Sequence, residues 1–255
     1  MPRLIAMEIY DNIAESYAKQ SVSDFKRRVT VDYTFLNFIG DARGKSILDL
    51  ACGDGHYCRP LKRSGAAGVV GVDISSKMLD LARNKEKKNP LGIRYECRDA
   101  LKLPVIGKFD IVLGSFLLHY SRTREELAAM CRNIYANVKD GGRFIGVNDC
   151  PDNPLQLDKR YGITRTCEGP VKDGSIIQIT LYENDVPTCV FDNYHWMKKT
   201  YRDALTAAGF TNIEWRGIEA SQEGIEKFGA RFWEPYLKQP GVAIFGCSKM
   251  KASYA

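Results

Sequence analysis

The sequence predicts a doubly wound α/β fold: a mostly parallel sheet of seven strands, helices on both faces and an antiparallel last strand. Three observations predict it. Short β-rich runs alternate with amphipathic segments through the first two thirds of the chain, the pattern of parallel strands joined by helical crossovers. The first of these runs leads into a glycine-containing turn and then a helix, as at the ligand edge of such sheets. With 255 residues, 44% hydrophobic and 27% charged, the chain can bury a full core and is too balanced for a disordered or fibrous protein.

Taken in order, residues 1–40 hold two helical stretches, 5–19 and 24–39, which precede the sheet and are expected to form a lid over its ligand edge. A core over residues 45–150 follows, with strands at 46–50, 68–72, 93–97, 109–113 and 143–147. Between them, Met78, Leu79, Leu81 and Ala82 mark one helix, and Leu127, Ala128, Cys131, Ile134 and Val138 mark another that ends at Lys139-Asp140-Gly141-Gly142. After Pro151 the alternation breaks, and residues 151–196 read as a substrate-covering insertion with a β-pair at 175–182 and 188–194. Residues 197–255 supply a final helix at 199–208, stopped by Gly209, and two closing strands at 211–218 and 241–248. The whole reads as one domain, with no internal repeat and no low-complexity linker.

The net charge of +6 lies in the first part, where residues 1–150 carry 24 basic against 18 acidic side chains. No long Lys/Arg block accompanies it, so no nucleic-acid partner is expected. Eight cysteines are scattered without a CxxC or a Cys/His cluster at zinc-ligand spacing, which reads as reduced thiols in a cytoplasmic protein with no metal. No secretory leader and no run of eighteen apolar residues is seen, so no membrane association is expected.

The most informative stretch is Ser46-Ile47-Leu48-Asp49-Leu50-Ala51-Cys52-Gly53-Asp54-Gly55-His56-Tyr57. Gly53 and Gly55 let a ligand approach the main chain, and the N–H groups opening the next helix can serve its acceptor atoms. Asp49 and Asp54 flank the turn, and Asp73 ends the second strand, where a carboxylate can accept both hydroxyls of a ribose. A dinucleotide site has a related pattern, but Cys58 stands at the third glycine of its fingerprint, and two carboxylates crowd the place of a diphosphate. The same acids suit a ligand with an ammonium and a sulfonium and no phosphate, S-adenosylmethionine.

On these residues the chain resembles the class I S-adenosylmethionine-dependent methyltransferases, with a Rossmann-like sheet, from about Tyr10 to Ser248. The resemblance implies that Asp49, Ala51, Cys52 and Gly53 belong to the cofactor loop and that Asp73 binds the ribose with Ile74 and Met78 beside the adenine. It also implies that Asp99 and Ala100 read the adenine edge, and that the fourth strand, with Gly114 and Ser115, passes the methionine part. A closer resemblance, to the toxoflavin synthase-like small-molecule methyltransferases, is carried by Tyr10-Asp11-x-Ile13-Ala14-x-x-Tyr17, Arg27-Arg28 before Tyr33-Thr34-Phe35, Thr123-Arg124-Glu125-Glu126-Leu127 and Phe191-Asp192-Asn193-Tyr194.

Methyl transfer is an in-line displacement that needs proximity, exclusion of water and a route for any acceptor proton. His119 and Tyr120, after the fourth strand, and Tyr10, on the first helix, are the catalytic candidates. Tyr17 shares a face with Tyr10, and Arg28 can pair with the cofactor carboxylate. Asn148 and Asp149 end the fifth strand and can orient an acceptor, while Tyr161, Tyr194 and His195 lie in the covering segment. Cys150-Pro151 reverses the Pro-Cys order of nucleobase methyltransferases with a cysteine nucleophile. Gly114-Ser115-Phe116 stands where enzymes acting on nucleic-acid exocyclic amines or glutamine amides carry an Asn/Asp-Pro-Pro-Tyr type of motif. The expectation is therefore transfer to N or O of a small metabolite by a monomer or homodimer. An RNA or protein methyltransferase, a catalytically silent cofactor-binding partner and a nucleotide-dependent oxidoreductase are the rivals.

Overall fold

A computed structural model describes Tyr10, Asp11, Ala14 and residues 24–251. Ten strands appear among these residues: β1 (Ser46–Leu50), β2 (Gly68–Asp73), β3 (Arg94–Cys97), β4 (Phe109–Ser115), β5 (Val138–Asp149), β6 (Ile163–Thr166), β7 (Ile176–Glu183), β8 (Val186–Tyr194), β9 (Thr211–Arg216) and β10 (Val242–Ser248). Seven form one sheet in the order β3-β2-β1-β4-β5-β10-β9. The strands β1 to β5 are parallel, and β10 runs antiparallel between β5 and β9. The expected seven-stranded, mostly parallel sheet with an antiparallel last strand is what is found.

The central strands β1, β4 and β10 are buried on both sides, so neighbouring residues feed different layers. Ile47, Ile111, Leu113, Ile145 and Ile244 face one apolar layer. Leu48, Leu50, Val112, Phe144 and Phe245 face the other. The first layer is closed by a helix over residues 25–39 (α1), α2 (Cys58–Arg63) and α3 (Ser76–Lys88); the second by α4 (Arg124–Asn137) and α5 (Lys198–Ala207). Ser75 caps α3 by accepting Met78 N–H at 3.2 Å, and Thr123 caps α4 by accepting Glu126 N–H at 3.2 Å. Five turn-forming residues, Arg28–Asp32, make α1 a π-helix in its middle.

Several elements differ from the sequence reading. The expected second strand at 68–72 extends to Asp73, and the fifth begins at Val138 rather than 143, because α4 ends at Asn137 and Gly141, at φ 78°, bends the chain inside the strand. The β-pair of the insertion is a three-stranded sheet, β6-β7-β8, since 163–166 also pairs. Asn184 and Asp185, both at positive φ, turn β7 into β8. The helix at 199–208 is not the last: α6 (Gln222–Phe228) and α7 (Ala230–Lys238) follow, capped by Ser221 and separated by Gly229, and Trp233 and Tyr236 of α7 enter the first apolar layer. The expected helix at 5–19, with Tyr17, lies largely outside the described residues. No helix among the described residues is long and apolar enough to cross a membrane.

Candidate functional site

Two cavities open side by side at the carboxyl ends of the parallel strands, and Tyr10, Arg27, Phe116 and Tyr120 line both. The first, about 920 Å³ with its mouth, runs across the ends of β1, β2 and β4. Its wall includes Ala51, Cys52 and Gly53 after β1, Asp73 and Ile74 after β2, Met78 on α3, Asp99 and Ala100 after β3, and Ser115 at the end of β4.

The loop after β1 is built for close approach. Ala51 (φ 55°) and Gly53 (φ 56°) are both left-handed, and a Cβ on Gly53 would come within 3.0 Å of Met78 Cε. Asp73 organises the loop with both oxygens: Oδ2 accepts Gly53 N–H at 2.8 Å and Oδ1 accepts Ser75 N–H at 2.9 Å. A carboxylate keeps further lone pairs for a ligand hydroxyl. Burial raises the Asp73 pKa, and the backbone N–H groups oppose that rise.

The charge pattern of the loop differs from the sequence expectation. Asp54 lines the crevice but is ion-paired to Lys85. Asp49 is fully buried behind the loop; Oδ2 accepts the Cys58 thiol at 3.1 Å, and Oδ1 has no partner among the described residues. Burial pushes the Asp49 pKa up to about 7. Repulsion of a diphosphate therefore rests on less charge than three free carboxylates would supply.

The second cavity, about 860 Å³, is roofed by one face of the insertion sheet. Ile163 and Arg165 of β6, Ile179 and Leu181 of β7, and Phe191 and Asn193 of β8 line it at the two-residue spacing of strands. The opposite wall includes Val242 of β10 and Trp233 and Tyr236 of α7. Deep in it lies a buried polar cluster. Asp149 Oδ1 accepts Arg165 Nε–H at 2.9 Å, and Oδ2 accepts the Asn193 amide N–H. The Asn193 amide nitrogen also lies 3.3 Å from His119 Nδ1, whereas His119 Nε2 is buried with no partner among the described residues. Burial works against charge on both groups. For Asp149, Arg165, His119 and Asn193 outweigh it and hold the pKa below the usual range. For His119 burial wins and lowers the pKa, against the raising effect of Asp149.

At the junction of the cavities the Tyr10 and Tyr120 hydroxyls lie 2.8 Å apart. Phe116 stands there at φ 53°, with Arg27 stacked 5.5 Å from its ring centroid. Asp32, held well below the usual carboxylate range by Arg27 and His56 against the opposing effect of burial, bonds Arg27 Nε at 3.2 Å and accepts the Tyr57 hydroxyl at 2.6 Å.

The structure brings His119, Tyr10, Tyr120, Asp149 and Tyr161 together around the second cavity. It does not bring Asn148, Tyr194, His195 or Arg28 to either cavity. Strand alternation explains two of these: Asp149 and Asn193 face the cavity, so Asn148 and Tyr194 face away. His195 sits against Met197 Sδ at 3.3 Å. Arg28 is salt-bridged through both terminal nitrogens to Glu223 at the surface; Arg27, one residue earlier, takes the inner position. Asp49 and Gly114 lie behind the crevice, Gly114 under the Phe144 ring. Sequence reasoning missed Arg27, Phe116, Arg165 and Asn193 as site residues. The alternation Phe191-x-Asn193 was the one signal available for them; Arg165 had none, because its strand was unassigned.

Comparison with known proteins bears on the fold. Residues 47–142 match a methyltransferase domain family model. Demethylmenaquinone methyltransferase of Lactococcus lactis is 32% identical over 54% of this chain and 56% of its own length. N-demethylindolmycin N-methyltransferase of Streptomyces griseus is 28% identical over 66% of this chain and 70% of its own. The chain spans about half the length of the first curated relatives it matches. Among solved structures, an S-adenosylmethionine-dependent methyltransferase from Mesorhizobium loti superposes with a TM-score of 0.62 at 23% identity, over 85% of this chain and 96% of that one. The fold is that of the class I methyltransferases.

Proposed function

We propose that the chain is an S-adenosylmethionine-dependent methyltransferase acting on N or O of a small metabolite. The observation that carries this reading is the pairing of the two cavities through Tyr10, Arg27, Phe116 and Tyr120: one fitted to a nucleoside, the other lined by aromatic side chains. The fit to the cofactor rests on the close approach that Gly53 permits, at positive φ beside Met78, and on Asp73 with lone pairs to spare. Asp73 would hold the ribose, Met78 and Ile74 would flank the adenine, Asp99 and Ala100 would meet its edge, and Arg27, rather than Arg28, would meet the carboxylate.

The cofactor would supply a methyl group on a sulfonium sulfur that leaves with the bonding pair as a neutral thioether. The chain's own residues then have three tasks. The rings of Tyr10, Phe116 and Tyr120 exclude water from the junction, Asp149 and Arg165 anchor the far end of the acceptor chamber, and His119 contacts the acceptor. A small acceptor is supported by the roof of β6 to β8, which covers one side of the cavity, and by the relatives, whose names describe small-molecule enzymes. The test is incubation with labelled S-adenosylmethionine and a metabolite extract, with mass identification of the product. Label in a small molecule supports the reading; label confined to RNA or protein, or none transferred, overturns it.

A further inference from the structure

Several donors of the second cavity are satisfied within the protein. The Tyr161 hydroxyl donates to the Phe232 carbonyl at 3.0 Å, the Lys26 ammonium donates to the Arg160 carbonyl, and the Asn193 amide donates to Asp149. Arg165 differs. Its Nε–H goes to Asp149 Oδ1 at 2.9 Å, but Nη1 and Nη2 reach no hydrogen-bond acceptor among the described residues. The buried side-chain nitrogens and oxygens that lack a partner among those residues belong to Asp49, Tyr95, His119, Asn148, Asn193 and Trp215, not to Arg165. The two terminal nitrogens therefore keep accessible surface, the little that a side chain only 4% exposed retains, at the cavity it lines. Gly241 leaves room for them, since a Cβ there would stand 2.6 Å from Nη1.

We propose that Arg165 is the specificity-determining residue of the acceptor site and holds a carboxylate of the acceptor end-on through Nη1 and Nη2. An ionised carboxylate only accepts, and its two oxygens match the two parallel N–H bonds that the end of a guanidinium presents. Asp149 holds Nε, so the plane of that fork is set before a ligand arrives. The wall does not repel an anion: Lys26, Arg27 and Arg165 line it against Asp24 and Asp149, and Asp149 is engaged through both oxygens. Arg165 lines the second cavity and not the first, so the carboxylate is a handle and the methyl goes to another atom. The acceptor class is an aromatic carboxylic acid, its ring against Phe116, Tyr120 and Phe191. The handle's role in methyl transfer rests on the methyltransferase reading, whereas the anion site does not.

The test titrates the protein, with and without S-adenosylhomocysteine, with benzoate, 2-naphthoate and the two matching amides, which keep the ring and one oxygen but lose the charge. At least one acid is expected to bind about tenfold or more tighter than its amide. Gly241→Ala crowds Nη1 and removes no charge; it should erase most of that preference while affinity for S-adenosylhomocysteine stays within about two-fold. The paired variant Arg165→Met with Asp149→Asn should abolish the preference. Amides that bind as well as their acids, no binding by either acid, or a preference that either variant leaves intact would overturn the proposal. The wild-type comparison of acid with amide decides even if a variant fails to fold. Failure to bind S-adenosylhomocysteine counts instead against the methyltransferase reading, and the acids then judge the anion site by themselves.

Discussion

Single carboxylates show how far residue type alone carries a prediction. Asp73 was legible in the sequence because an acid ending the second strand has few structural uses, and the structure gives it both a loop-organising and a ligand-facing position. Asp73→Ala is expected to weaken S-adenosylhomocysteine binding by about 1.5–3 kcal/mol, read by calorimetric titration, the range for losing hydrogen bonds to a charged group; unchanged affinity would remove the ribose assignment. Asp49 was legible as an acid near the turn, but its burial was not. Its pKa rises on folding from 3.8 to about 7, so the folded protein keeps a proton that the unfolded chain loses. Stability therefore falls as pH rises from about 4 to 7, by at most about 4 kcal/mol at 1.36 kcal/mol per pH unit. Asp49→Asn removes that loss: relative to wild type it should gain stability in denaturant melts at pH 8 and not at pH 4. A pH-independent difference between the two would show that the carboxyl is not the titrating group.

At the level of elements, the alternation rule explains both successes and errors. Apolar runs bounded by turn residues located β1 to β5, because strands buried on two faces have almost no other sequence signature. The same runs do not say which residue of a polar pair points inward, hence Asn148 alongside Asp149 and Tyr194 in place of Asn193. The short strand β6 escaped notice because Ile163-Thr164-Arg165-Thr166 places its charge inward, against Asp149 of β5. That buried pair ties the insertion to the sheet. Replacing Arg165 with Met leaves Asp149 buried without its cation and is expected to cost about 3–5 kcal/mol, whereas adding Asp149→Asn should recover much of the loss. Urea unfolding of both singles and the double closes the cycle; a double mutant no more stable than the sum of the singles predicts would mean the two groups are not coupled.

For the molecule as a whole, a ligand that binds only the folded state must stabilise it by mass action. At a hundredfold excess over its dissociation constant, S-adenosylhomocysteine should add about 2.7 kcal/mol and raise Tm by on the order of 5–10 °C, while NAD should leave Tm in place. A rise with NAD and none with S-adenosylhomocysteine would return the crevice to the dinucleotide reading. The sequence by itself determined the sheet, its alternation with helices and the ligand edge, because these follow from local periodicity and from glycine and acid placement within a few residues of one another. Tertiary structure alone decided which of two adjacent arginines faces the junction, whether an acid keeps its charge, and that residues as distant as Tyr10, His119, Arg165 and Trp233 enclose one chamber. Inward direction, desolvation and closure depend on which surfaces meet, and residues far apart in the chain carry no mark of one another until they do.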